Sequence, residues 1–455
     1  MVDMSVNFGG LRLKNPLIAA AGPITTNMDN VKRLVDAGIG AIVTKTGFTK
    51  NEYERWVGRK NIFPYKPVFK YQSLQNGRLL SLPTLSDIPV SDMAKRLEEI
   101  KKLNVPVIGS IMGLSPKGYA ESAKMLCEAG ADAIEIDLCC TIPEFTTTYR
   151  WAGQNVNFYP KKYAHLVDVV KDITSIPVGV KSTVSLYLYG KIIEALIRSK
   201  LKNSLPDFIT LVGQLDQNPG VDLNTLQPII PHIPTFGWQG TLSGLTYSAL
   251  ATFTSTLGTS RPFFSASGGI DNHEGVINAM ALGATTVQLM TVILNKGPEI
   301  ITKILGSLHY YLASKKITHI ETLVGCACRD YIPSMALGKF MLERDTLYGK
   351  MFAEVLNDSC IGCGICESVC TEGAVKLDNG KAMINQSLCR ACNLCVLKCP
   401  EKAIRLLNIE LLDKLIDKYK DAPGIRSFRE FFSKQKITWR DKLLLARNLR
   451  QWGLT

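Results

Sequence analysis

The sequence predicts an α/β protein: a (β/α)8 barrel followed by a small α+β domain organised by cysteines. Three observations lead there. Eight short apolar runs, separated by helical patterns, recur up to about residue 310. Three helix-to-strand junctions repeat one formula, VDAGIGAIVTK, CEAGADAIEID and MALGATTVQLM. Eight of the thirteen cysteines fall between Cys360 and Cys399.

Length and composition permit this plan. A chain of 455 residues can build a barrel-sized domain and a second, smaller one. Hydrophobic residues make up 46% of it and charged residues 20%. No apolar run approaches the roughly 18 residues a membrane span needs. The opening MVDMSVNFGG lacks the basic-then-apolar order of a secretory signal, so a cytoplasmic protein without a membrane partner is expected. The net charge of +13 is scattered, and no aromatic-plus-basic signature accompanies it. Nucleic acid is therefore not an expected partner, whereas an acidic protein or an anionic cofactor would use the same charge.

The strands follow in order. They are NPLIAAAG (Asn15–Gly22), AIVTKTG (Ala41–Gly47), VPVIGSIMG (Val105–Gly113) and AIEIDLCC (Ala133–Cys140). Then come IPVGVKST (Ile176–Thr183), FITLVGQ (Phe208–Gln214), PFFSASGG (Pro262–Gly269) and TTVQLMT (Thr285–Thr291). Helical patterns such as SDMAKRLEEIKKL and PKGYAESAKMLCEAG lie between them. At each repeated junction a glycine closes a helix and a near-continuous apolar run follows. Strands apolar on both faces imply a parallel sheet covered by helices, and eight such units imply a closed barrel.

In such a barrel the chemistry sits where the strands end. Those ends carry Gly22, Lys45, the Asp137–Cys140 group, Lys181, Gly213 with Gln214, Gly268 with Gly269, and Thr291. An unpaired ammonium at the end of an apolar strand is costly. Two such lysines, on the second and fifth strands, point to a shared anionic or electron-rich ligand. The glycine pair after the seventh strand and the QLMT end of the eighth fit a site where backbone N–H groups face a phosphate. A phosphate-bearing cofactor is expected.

The clustered cysteines form two runs. CIGCGICESVC contains Cys360, Cys363, Cys366 and Cys370, and CRACNLCVLKCP contains Cys389, Cys392, Cys395 and Cys399 before Pro400. Each is the C-x2-C-x2-C-x3-C run of bacterial ferredoxins, in which the fourth cysteine ligates the other cluster. One [4Fe-4S] centre is thus expected on Cys360, Cys363, Cys366 and Cys399, and a second on Cys389, Cys392, Cys395 and Cys370. Zinc sites rarely show such runs, and a cytoplasmic chain disfavours disulfides. Thr371 stands where ferredoxins usually carry proline, outside the ligand set. The expected domains are a barrel over 1–312, a linker over 313–355, the cluster domain over 356–408 and a basic helical tail over 409–455. Cys326 and Cys328, two thiols without a nearby histidine, are expected to be structural or incidental rather than a metal site. The tail would either dock on a partner subunit or cover the barrel.

The ordered set NPLIAAAG, AIVTKTG, IEIDLCC, PVGVKST, GTLSG (Gly240–Gly244), ASGGI and GATTVQLMT resembles the class 1 dihydroorotate dehydrogenase barrel. With the cysteine domain behind it, the chain resembles the flavin-bearing part of dihydropyrimidine dehydrogenase. The resemblance implies FMN. Ala21 and Gly22 would line the flavin, and Lys45 and Lys181 would contact its ring or ribityl end, with Thr46 in the same cofactor set. Ser243 and Gly244 would approach it closely, and Gly268, Gly269 and Thr291 would bind its phosphate. Cys140 takes the family's acid–base position. Hydride passes between flavin N5 and one carbon of a C=C bond while a proton reaches the other carbon from the opposite face. A thiol, with a reference pKa of about 8.5, can supply it. Cys139 stands where the family usually has serine and is expected to pack the strand.

The departures concern the substrate. Family asparagines that grip a pyrimidine correspond to Asp137 and to Gly213 with Gln214, and an ionised aspartate accepts hydrogen bonds but donates none. Thr141 replaces a proline, and Met290 replaces a glycine of the phosphate turn. Asn76, in YQSLQNG, is expected to keep one substrate asparagine, so Asn76, Asp137 and Gln214 form the expected substrate set. TIPEFTTTYRWAGQNVNFYPKK is long enough for a remodelled lid. The expected activity is reduction or oxidation of a C–C bond in a small substrate other than uracil or dihydroorotate. The alternative is an electron-transfer subunit whose barrel has lost its substrate. No G-x-G-x-x-G follows a strand. Electrons would therefore pass to a partner subunit carrying FAD and oxidising NAD(P)H, or to a soluble ferredoxin, and an oligomer is expected.

Overall fold

The computed structural model describes residues 2–57, 71–73, 79–81, 88–140, 150–183, 186–202, 204–213, 215–217, 221, 223–227, 236–239, 242–259, 262–420, 423–434, 437–443 and 446. Two compact units emerge. One is Met1–Cys328 with Arg429–Leu445, and the other is Arg329–Phe428 with Ala446–Thr455.

The first unit is a closed ring of eight parallel strands. They are β1 (Leu17–Ala19), β2 (Ala41–Val43), β3 (Val107–Ile111), β4 (Ala133–Leu138), β5 (Val178–Ser182), β6 (Phe208–Val212), β7 (Phe263–Ser267) and β8 (Ala284–Leu289). Each lies within or overlaps its expected run, and most are shorter. In β1, for example, the Asn15 side chain accepts from Leu17 N at 3.0 Å and donates to the Gly38 carbonyl at 2.8 Å, so the ladder starts only after it. Every residue of β3, β4, β5 and β6 is buried, which explains why these stretches read as unbroken apolar runs. Between the strands, Val90–Lys101 and Pro116–Glu128 are helical as expected. The second begins with Ser115 accepting from Gly118 N and with Pro116 at its first position. Gly38, Gly130 and Gly283, the junction glycines, all take positive φ.

The end of the barrel away from the chemistry is plugged by aromatics. Phe208, fully buried, stands opposite Gly179 across the β5–β6 pair, and only a residue without Cβ leaves room for its ring. Phe8, on the hairpin of Val6–Phe8 and Leu11–Leu13, lies 4.7 Å from that ring, centroid to centroid. The end of the chain also returns to this unit. Arg429 donates to the Ser255 carbonyl at 2.7 Å, Lys200 donates to the Lys434 carbonyl, and Phe432 is fully buried.

The second unit contains two antiparallel pairs, β9 (Phe352–Val355) with β12 (Ile404–Leu407) and β10 (Val375–Asp378) with β11 (Lys381–Ile384). The short helices Ile365–Val369 and Leu394–Lys398 each carry a buried cysteine, Cys366 and Cys395. A small core of Ala353, Cys366, Val375, Ala382, Cys395 and Ile404 lies among these elements, and a second cluster gathers Ala336, Phe340, Tyr419 and Ile425. β9 comes from the stretch expected as linker, because its pairing partner lies some fifty residues on and is invisible to local periodicity. No helix among the described residues is long and apolar enough to cross a membrane.

The Phe208 plug generates a stability prediction. Phe208→Ala opens a void beside Gly179 and Phe8, and the expected cost is about 3–5 kcal/mol. A urea denaturation midpoint equal to that of the wild type would show that the plug contributes nothing.

Candidate functional site

The mouth of the barrel is organised by Asp137, the fifth residue of β4, which is 3% exposed. Its Oδ1 accepts from the backbone N–H of Cys139 at 3.0 Å and of Cys140 at 3.3 Å. Its Oδ2 accepts from the Thr46 hydroxyl at 2.9 Å and the Cys140 thiol at 3.0 Å. Thr46 in turn meets the Ser110 hydroxyl at 3.0 Å. Burial alone would raise the Asp137 pKa. The Lys181 ammonium and these hydrogen bonds outweigh it and hold the carboxyl below its ordinary range.

Cys140 is fixed from behind as well. Gln154 N–H donates to its carbonyl at 3.0 Å, and the Asn157 amide donates to the Leu138 carbonyl at 2.7 Å. Cys139 is buried, and its thiol is pushed well above the usual range by its hydrogen bond to Cys140, by burial and by the Asp137 charge. Asp137, Cys139 and Cys140 bring ligand-type atoms within 4.8 Å of one another. Both carboxylate oxygens are already occupied by donors, so hydrogen bonds account for the cluster without a metal. Gly213, just past β6, has φ +74, and a Cβ there would lie 2.9 Å from Cys139 Sγ and 3.3 Å from Lys181 Cε. The side chain missing at this position is thus replaced in space by its neighbours from β4 and β5.

Lys181, at 6% exposure, donates to Gln288 Oε1 at 3.3 Å. Burial alone would lower its pKa, but the Cys139 sulphur and the carboxylates of Glu135 and Asp137 reverse that and raise it. Sequence reasoning missed the partners beneath it, Glu135, Thr210 and Gln288. The available signal was a charged residue inside the apolar AIEIDL run, at odds with burial on both faces.

Across the mouth, Gly268 and Gly269 take φ of +107 and +76. A Cβ on Gly269 would collide with the backbone nitrogens of Ser243 and Leu242. Ser243–Leu257 is a fifteen-residue helix without a side-chain cap, so its first N–H groups lie beside the glycine pair unclaimed by a cap. Thr246 Oγ1 donates to the Gly268 carbonyl at 2.9 Å and braces the turn. Thr291 opens the short helix after β8. A Cβ on Gly22 would lie 2.9 Å from Met290 Cγ, so this methionine packs where Gly22 leaves space. Lys45 and Ala21 follow β2 and β1 half-buried, and Gly244 is exposed. Asn76, Gln214 and residues 141–149 of the expected lid lie outside the described residues.

In the second unit the eight cysteines gather in two fours. Cys360, Cys363, Cys366 and Cys399 line one pocket, and Cys370, Cys389, Cys392 and Cys395 line another. Backbone N–H groups face the sulphurs: Ala374 donates to Cys370 Sγ at 3.3 Å, Ala403 to Cys399 Sγ at 3.2 Å and Ala353 to Cys389 Sγ at 3.3 Å. Such donors stabilise cluster-bound thiolates. Cys326 is exposed and Cys328 buried, with the Cys328 thiol pushed up to about 11 mainly by burial.

Comparison with known proteins agrees with this architecture. The dihydroorotate dehydrogenase family model matches residues 3–312, and the 4Fe-4S dicluster domain model matches residues 359–404. The chain is 25% identical over 386 residues to the NAD-dependent dihydropyrimidine dehydrogenase subunit PreA of Escherichia coli K12, covering 82% of this chain and 86% of that one. It is 27% identical over 329 residues to the dihydroorotate dehydrogenase B (NAD(+)) catalytic subunit of Caldicellulosiruptor bescii, covering 71% and 99%. The crystal structure of DHODH from Eimeria tenella in complex with ferulenol superimposes with a TM-score of 0.55 at 15% identity, covering 71% and 88%, a likeness of fold alone.

The cofactors of such proteins, FMN in the barrel and [4Fe-4S] clusters in the cysteine domain, suit the residues present. The glycine turn with its uncapped helix suits a phosphate, and Lys181 keeps donors to spare. The chain belongs to the dihydroorotate dehydrogenase family, whose members are oxidoreductases acting on CH–CH groups, in a form that also carries a 4Fe-4S dicluster domain.

Proposed function

We propose that this enzyme adds or removes hydrogen across a C–C bond of a small dihydropyrimidine- or dihydroorotate-like substrate, in a pocket altered from the pyrimidine-binding one. The observation that carries the reading is the Cys140 thiol at the end of β4, hydrogen-bonded at 3.0 Å to a buried carboxylate that also holds its backbone N–H. A proton carrier is thereby fixed at the barrel mouth.

FMN, when bound, supplies the hydride chemistry at N5, and the clusters, when bound, carry single electrons. The chain's own residues do the rest. Gly268, Gly269 and Ser243 hold the phosphate with backbone N–H groups, Lys181 sets a positive charge by the ring, and Asp137 orients Cys140. Cys140 Sγ gives its proton to the substrate carbon in reduction and takes it back in oxidation, so one thiol serves both directions. The four donors on Asp137 leave it little capacity to grip a substrate edge, and Gly213 offers no side chain at all. Both support recognition unlike that given by paired asparagines. Electron exchange with a partner subunit that oxidises NAD(P)H is supported by the name of the Escherichia coli relative, an NAD-dependent subunit, and by the lack of a dinucleotide motif here.

Two measurements test this. Cys140→Ala and Cys140→Ser should each lower turnover by roughly 10²–10⁴-fold. Flavin absorbance and iron content should stay at wild-type levels, and undiminished turnover would remove the thiol from the mechanism. Should no unsaturated compound in a panel reoxidise the reduced flavin of the wild type while ferredoxin does, the chain is an electron-transfer subunit instead. Separately, Cys363→Ser and Cys392→Ser should each halve the iron bound per chain and abolish a different cluster signal in electron paramagnetic resonance. Loss of the same signal in both would refute the two-site assignment.

A further inference from the structure

Below the mouth lies a chain of polar groups that the thiol and the phosphate cradle do not use. Glu135, Thr210, Gln288 and Lys181 come from four different strands, β4, β6, β8 and β5, and none is more than 6% exposed. Glu135 Oε2 accepts from the Thr210 hydroxyl at 2.6 Å and from Gln288 Nε2 at 2.6 Å. Gln288 Nε2 also donates to Thr210 Oγ1 at 3.0 Å, and Gln288 Oε1 accepts from Lys181 Nζ at 3.3 Å. Glu135 Oε1 has no partner among the described residues.

Such a chain is poor as a stabilising device, since apolar side chains of similar volume in a barrel interior are commonly as stable or more so. Its value lies in direction. An amide has one accepting end and one donating end. Glu135 and Thr210 together claim the donating end of Gln288, so its carbonyl must face Lys181. The ammonium then has one fixed acceptor from below and two donors left for a ligand. The charges are consistent with this. Burial raises the Glu135 pKa although Lys181 opposes it, whereas at Asp137 the Lys181 ammonium and the hydrogen bonds outweigh burial and lower it.

We propose that Glu135 is a positioning residue which, through the Gln288 amide, holds the Lys181 ammonium against the flavin ring. The inference rests on FMN occupying the barrel mouth as described above. A cation held beside the ring favours the reduced flavin, which carries more negative charge.

The test is the FMN midpoint potential of the full chain, purified anaerobically, in Glu135→Leu, Glu135→Gln and Gln288→Met. Glu135→Leu should bind FMN at wild-type stoichiometry with a more negative potential, equal to at least a tenfold loss in the equilibrium for flavin reduction. Glu135→Gln, whose amide still accepts from Thr210 and Gln288, should stay within about twofold of wild type. Gln288→Met removes the acceptor itself and should match the leucine variant; it decides the matter if Glu135→Leu fails to fold. A wild-type potential in either Glu135→Leu or Gln288→Met, with FMN bound, overturns the inference. Wild-type protein that takes up no FMN overturns the flavin reading beneath it.

Discussion

The mouth of the barrel depends on one buried carboxylate. Asp137 accepts from two backbone N–H groups, one hydroxyl and one thiol, and it stands opposite a buried ammonium. These donors come from the turn just past β4 and from the chain just past β2, so the carboxylate ties the turn that carries Cys140 to the far side of β3. An apolar residue there would leave the two backbone N–H groups of that turn without a partner, at the cost of burying unpaired donors. The place of the thiol and the geometry of the strand end are a single construction.

The charges inside the barrel settle each other. Two carboxyl groups and one ammonium are buried together here, and full ionisation would leave a net negative charge. The two acids differ in what they accept: Asp137 receives four hydrogen bonds, whereas Glu135 receives two and keeps one oxygen without a partner among the described residues. The two acids are therefore pushed in opposite directions, Asp137 toward its ionised form and Glu135 away from it.

Much of this was legible in the chain because parallel strands buried on both faces leave unmistakable apolar runs, and the helix-closing glycines punctuate them. The cysteine runs are legible for a stricter reason, since ligand spacing in iron–sulphur loops is local. What escaped was non-local. Glu135, Thr210 and Gln288 meet only after the ring closes, and nothing in the spacing of 135, 210 and 288 announces that they touch. Gly213 read as a lost asparagine, while the structure shows its empty side filled by Cys139 and Lys181. β9 hid in an apparent linker because its partner strand ends the domain.

The cysteine domain repeats one device. Four residues after Cys370 and four after Cys399, an alanine N–H turns back to the sulphur just as the next strand begins. With the ligands assigned as proposed, each of these cysteines serves the cluster whose other three ligands lie in the opposite run. Each half therefore supplies the last ligand of its neighbour's cluster from a cysteine just ahead of its own next strand. Each centre, when bound, is thus a staple between the two halves, closing the stretch of chain between them as a metal clip closes a loop.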